Sequence, residues 1–162
     1  MRFLRWSLVL VATISIFSVG FIAGEANNQR REATEEEVRL TLDRYVQARN
    51  QFDLDAFMGL FARSPELTVI TGPSEYIGWD NLRRGITPLF ESKSSTAEFS
   101  DIRVYPITRD IALVHHHYKL KSSRGMGTPS RSTKVFQRTS QGWKVIAEHS
   151  SRIPEFVRRE RR

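Results

Sequence analysis

Three of the four histidines stand together, His115, His116 and His117 in "ALVHHHYKL", and the fourth, His149, follows in "AEHSS". Imidazole titrates near neutrality and ligates metals, so such a group can hold a metal, move a proton or form the polar wall of a pocket. On a strand, successive side chains point to opposite faces. His115 and His117 then share a face with Ile111 and Leu113, and His116 shares the other with Ala112, Val114 and Tyr118. Both faces are apolar upstream, so alternation alone does not say which looks inward.

A zinc site would take His115 and His117 as an H-x-H pair with His149 as third ligand. Zinc needs three or four convergent ligands and partners that orient them. His149 would stand two strands away, about 9–10 Å at normal strand spacing. The neighbouring acid, Glu148, points away from His149 on a regular strand, so no metal and no cofactor is expected. An acid–base role needs a histidine beside a substrate, and spacing assigns no carboxylate partner. The third reading is a polar pocket wall with one packed or exposed histidine. "RGMGTP" joins two strands and precedes no helix, so it is not a phosphate loop. With no cysteine in the chain, there is neither a disulfide nor a thiolate site.

These residues need elements to place them. Thr34 with Glu37 fits a capping box, and Val38, Leu42, Tyr45 and Val46 recur at helical spacing up to about Asn50. Asp53 predicts the cap of a short second helix carrying Leu54, Phe57, Met58 and Phe61. "LTVIT" predicts a strand and "EYIGW" a short returning one. Asp80 predicts the cap of a third helix, which Gly85 and Pro88 should bend or break. After residue 94, four β-rich runs with short connections predict an antiparallel meander. Helices first and a long-stranded sheet afterwards give an α+β class. The expected shape is a cone: a curved antiparallel sheet with the N-terminal helices packed on its concave face. Trp79, Trp143 and Tyr118 read as core aromatics, and Tyr45 as the one whose hydroxyl needs a partner in a pocket.

The net charge of +7 sits at the ends. Arg2 and Arg5 contribute +2, the tail "RIPEFVRRERR" contributes +3, and residues 25–151 keep only +2. A nearly balanced fold without a basic stripe argues against nucleic acid as a partner. Residues 7–24 carry no charge and follow two arginines, as in a secretory signal or a single membrane anchor. Either would place the domain outside the cytoplasm, secreted, periplasmic or tethered through residues 7–24. The expected division is a signal peptide or anchor over 1–26, a polar linker over 27–33, the domain over 34–151 and a basic tail over 152–162.

Three stretches carry a family resemblance. "RYVQARNQFDLDAFMGLFA", "GWDNLRRG" and "VFQRTSQGWKVIAEHSS" resemble, in order, the opening helix pair with its Asn-x-x-Asp junction, the Gly-led third helix and the final hairpin of the SnoaL-like, nuclear transport factor 2-like superfamily. The resemblance spans residues 34–151 and implies the cone fold. It does not imply one function, because this fold hosts isomerases, cyclases, dehydratases, oligomerisation hubs and binding modules. Resemblance to ketosteroid isomerase puts Tyr45 at the oxyanion-donor position but Thr71 near the base position. Threonine cannot take a proton from carbon at neutral pH. Resemblance to the association domain of calcium/calmodulin-dependent kinase II puts His115 and Lys134 at two positions of basic pocket residues, and Ser150 at a third. That implies a pocket for a small anion such as a carboxylate, and it favours His115 and His117 as the inward histidines. The hub role does not transfer, since no kinase domain is present.

The expected function is therefore an extracytoplasmic binding module for a small anionic or partly apolar molecule. Its pocket would be built from Tyr45, His115, His117, Lys134 and His149. The alternatives are a cyclase, isomerase or dehydratase that moves a proton through a histidine, and a structural module. A homodimer or higher homo-oligomer is expected as well.

Overall fold

The computed structural model describes the backbone of residues 4–154 and the side chains of residues 25–154. The expected signal or anchor falls on side chains outside that range. Among the described residues, no helix is long and apolar enough to cross a membrane.

Helix α1 runs over Leu4–Gln51 as one element. The expected start at Thr34 is overturned, and the residues 27–33 expected as a polar linker are helical within α1. "EANNQRREATEEE" contains neither Gly nor Pro, so nothing interrupts helical propagation. Thr34 is buried inside the helix rather than capping it. Glu37 turns away from the backbone to accept from Trp143 Nε1 at 2.9 Å and to pair with Arg138 at 2.6 Å. Val38, Leu42, Tyr45 and Ala48 form the buried stripe that packs α1 on the sheet. Each fully buried aliphatic or aromatic side chain there contributes roughly 1.5–3 kcal/mol.

The junction after α1 is built by its last polar residues. Asn50 Nδ2 donates to the carbonyl of Ala97 at 2.9 Å, and the N–H of Ala97 donates back to Asn50 Oδ1 at 2.7 Å. One amide side chain thus imitates a neighbouring strand. Phe52 takes a left-handed turn (φ 58°), and Asp53 caps α2 (Leu54–Met58) by accepting from the N–H of Ala56 at 2.9 Å.

Strands β1 (Thr68–Thr71) and β2 (Ser74–Ile77) form the short hairpin, and α3 follows over Trp79–Ser92. Its N-cap is Gly78 rather than Asp80, which sits in the first turn. The helix continues through Gly85 and Pro88 as a single element. Gly85 has a packing reason: a Cβ there would lie 2.0 Å from the ring of Tyr76.

The meander consists of β3 (Ser95–Pro106), β4 (Ile111–Ser122), β6 (Ser130–Thr139) and β7 (Gly142–Arg152), with the two-residue β5 (Gly125–Met126) added beside β4. The sheet order is β2-β1-β7-β6-β4-β3. The expectation of a wholly antiparallel sheet needs correcting, because β1 pairs with β7 in parallel, Thr68 beside Ala147 through Thr71 beside Ser150. The result is a curved mixed sheet with α1 against it. Strand β3 forms one edge, and Asn50 occupies its free side at Ala97.

Candidate functional site

Two β-bulges decide which side chains face the helices. On β7, Trp143 and Val145 point inward, and regular alternation would continue to Ala147 and His149. The register with β6 instead slips between Val135 and Phe136, which leaves Ile146 as an extra residue. Such an insertion exchanges the faces beyond it. Glu148 and Ser150 become buried and His149 becomes exposed. On β3 a second slip lies between Ser100 and Arg103, where Asp101 takes φ 52°. Inward residues are odd-numbered before it (Ala97, Phe99) and even-numbered after it (Ile102, Val104). Strands β4 and β6 keep one phase, with Ala112, Val114, His116, Ser132, Lys134 and Phe136 all buried.

Between this face and the three helices lies a cavity of about 150 Å³. Its wall is mostly apolar, with Phe57 and Phe61 from the α2 region, Leu82, Ile86 and Phe90 from α3, and Phe99 from β3. A cavity of about this size accommodates a benzene-sized molecule. One flank is polar. Lys134, only 1% exposed, holds Glu148 with Nζ to Oε1 at 2.5 Å. Ser132 Oγ donates to the same oxygen at 3.2 Å and accepts from Lys134 at 3.2 Å. Tyr45 Oη donates to Glu148 Oε2 at 3.2 Å, and the ammonium of Lys134 lies 4.5 Å from the Tyr45 ring centroid. Burial and the adjacent carboxylate push the Tyr45 hydroxyl well above the usual phenol range, so it is a neutral donor. Burial pulls the Lys134 ammonium down while Glu148 opposes the shift. The pair is formally neutral and internally satisfied.

Arg49 is the second buried cation on the cavity wall. Its Nη1 donates to the carbonyl of Ser95 at 2.8 Å and its Nη2 to Ser95 Oγ at 3.4 Å, and the rings of Phe52 and Phe90 flank it. Among the described residues, no carboxylate lies within salt-bridge distance of it. Burial lowers its proton affinity from the usual arginine value, yet a guanidinium keeps its charge in proteins. The cavity therefore carries one uncompensated positive charge.

His116 is the histidine of the cavity. It is fully buried and stacks on Phe99 at 4.1 Å between ring centroids. Burial first, and Lys134 second, pull its imidazole down to about 3, so it is neutral throughout the physiological range. Its Nδ1 lies 3.3 Å from the carbonyl of His117, an acceptor, which assigns the proton to Nδ1. Nε2 is left as a bare acceptor with no partner among the described residues.

The structure thus brings Tyr45 and Lys134 into one wall and does not bring the other three expected residues there. The inward orientation expected for His115 and His117 is overturned. Both lie on the outer face, His115 beside Thr133 at 3.3 Å and His117 paired with Asp101 at 2.8 Å. His149 is outside too, in register with Thr133 and through it with His115. Glu148, His116 and Arg49 take the places in the cavity. Arg49 had a sequence signal, since it follows Tyr45 by four residues on one helix face. Glu148 had none without the bulge at Ile146.

A model of the SnoaL-like domain matches residues 38–155. Solved structures share the fold. An NTF2-like protein of unknown function from Shewanella oneidensis superposes with a TM-score of 0.65 at 22% identity, over 72% of this chain and 97% of that one. A candidate dehydratase of the NTF2-like family from Streptomyces avermitilis gives 0.68 at 21%, over 76% and 98%. A candidate calcium/calmodulin-dependent protein kinase type II association domain from Thiobacillus denitrificans gives 0.62 at 17%, over 70% and 93%. No curated protein matches the chain in sequence.

Proposed function

The chain belongs to the SnoaL-like domain family, and from that premise we propose that it binds a small, largely apolar molecule bearing one negative charge. The observation that carries this reading is Arg49, a buried cation on an apolar cavity wall without a carboxylate partner among the described residues. A buried charge is costly unless it is paired. An anion delivered by a ligand would pair it. Only two of the five N–H donors of a guanidinium are used by Ser95, and the remaining donors suit a carboxylate. The Lys134–Glu148 pair consumes its own charges and shapes the polar flank. It also supplies no histidine–carboxylate couple inside the cavity; the Asp101–His117 couple is on the opposite face. An acid–base enzyme is for that reason the weaker reading.

Two further parts of the proposal rest on other observations. The uncharged run 7–24 behind Arg2 and Arg5 supports delivery outside the cytoplasm or tethering to a membrane. Tyr105 on the outer face of β3 and Ile107 just past its end, 44% and 63% exposed, support pairing of two copies through the outer sheet face.

The test is thermal unfolding of the full chain with benzoate. At a hundredfold excess over its dissociation constant, a ligand specific for the folded state adds about 2.7 kcal/mol. That raises the midpoint by roughly 5–10 °C for a chain of this size. Arg49→Met is expected to abolish the benzoate shift. If no small aromatic or aliphatic carboxylate stabilises the full chain, the reading is wrong.

A further inference from the structure

The unpartnered nitrogen of His116 asks for something the anion at Arg49 cannot provide. A buried acceptor without a donor is destabilising, and protein interiors seldom leave one unmatched. Several features keep this nitrogen an acceptor. Nδ1 sits close to the main chain and is engaged by the carbonyl of His117, so Nε2 is the distal atom of the ring, away from the backbone. Phe99 covers a ring face at an interplanar angle of 15°, which holds the imidazole in one orientation. Lys134 lies near enough to disfavour a second positive charge, and the ring stays neutral. Three hydroxyls close to it are committed elsewhere: Tyr45 and Ser132 donate to Glu148, and Ser150 donates to Thr71 Oγ1 at 3.0 Å. Among the described residues, no side chain donates to this nitrogen.

We infer that the ligand of this cavity carries a hydroxyl group, recognised by donation to His116 Nε2, so that His116 selects hydroxylated over purely hydrocarbon molecules of the same shape. The inference rests on the cavity being a ligand site, as proposed above, but not on the ligand's charge. Combined with Arg49, it defines a small hydroxy-acid class, with an apolar body, one anionic end and one hydroxyl.

Phenol and toluene separate this inference from the reading it rests on. They match in size, and neither is an anion at neutral pH. Without an acceptor in the wall, toluene should bind better, because phenol must leave the water around its hydroxyl. With His116 as acceptor the order reverses. Calorimetric titration of the full chain should show phenol binding on the order of tenfold more tightly than toluene. His116→Phe preserves the stack on Phe99 and removes the acceptor. It should bring phenol to or below the affinity of toluene and leave toluene little changed. The 15N resonance of His116 Nε2 should move on adding phenol to the unsubstituted protein and stay put with toluene, which tests the contact without any variant. If toluene binds as well as phenol, the hydroxyl inference fails while the cavity reading survives. If phenol is preferred but benzoate does not bind, the hydroxyl inference stands and the anionic reading fails. If none of the three binds, both are overturned.

Discussion

His116 and His117 are adjacent in the chain and live in different solvents. His116 is sealed among Phe99, Lys134 and the cavity, and burial drives its imidazole down to about 3. His117, one residue on, reaches a largely exposed carboxylate on the other side of the sheet. The same contrast holds for the two ion pairs. Lys134–Glu148 is shut inside with two hydroxyls completing its hydrogen bonds, whereas Asp101–His117 faces water, Asp101 being 62% exposed. One layer of backbone separates a region where charge must be matched from one where water does the matching. Residue type and local sequence do not distinguish the two sides; strand phase does.

The contrast is most sharply tested at the inner pair. Glu148→Ala leaves Lys134 buried and unpaired and removes the acceptor used by Tyr45 and Ser132. It is expected to cost about 3–5 kcal/mol in chemical denaturation. The double variant Lys134→Met, Glu148→Leu should recover much of that loss, since an apolar pair of similar volume carries no unpaired charge.

A smaller effect tests the buried imidazole. Because His116 takes up a proton near 6.5 when unfolded and only at about 3 when folded, the unfolded state binds more protons across that window. Stability therefore falls as pH drops from about 6.5 towards 3, by up to about 1.4 kcal/mol per pH unit. His116→Phe should flatten that slope in urea titrations between pH 6 and pH 4. An unchanged slope would assign the acid sensitivity to other groups.

The smallest effect belongs to the outer pair. Asp101→Ala should change stability by no more than about 1 kcal/mol at neutral pH, as exposed pairs do. A loss approaching that of Glu148→Ala would erase the distinction between the faces.

Much of the fold is legible in the sequence for reasons these residues make plain. Asp53 caps a helix as an aspartate before an apolar run does, and the β-rich segments after residue 94 form the meander. The quoted helix, hairpin and Gly-Trp stretches turn out to be clasps: Asn50 on Ala97, Trp143 on Glu37, and Trp79 Nε1 on the carbonyl of Met58 at 3.1 Å. What stayed illegible depends on backbone irregularity or on long-range partners. A capping box over Thr34 and Glu37 looks the same in sequence whether or not a helix already runs through it. The parallel pairing of β1 with β7 has no local signature. The cavity was half visible, through Tyr45 and Lys134. The placement of His115, His117 and His149 failed because a matched position in a relative does not report strand phase, which runs unbroken through Ala112, Val114 and His116 on β4 and is shifted by the extra residue at Ile146 on β7.

The extra residue at Ile146 has a consequence for how this protein can change over time. Along β7 it works like a frame marker: everything after it is read one step out of phase with everything before it. A single-codon deletion there would turn Glu148 and Ser150 to the solvent and bring His149 to the interior, without altering the identity of any remaining residue. The cavity's charge, its hydrogen-bond partners and its preferred guests would all be rewritten by one loss of length. Relatives that differ in the length of this strand by one residue can thus share nearly every amino acid and still bind unlike molecules.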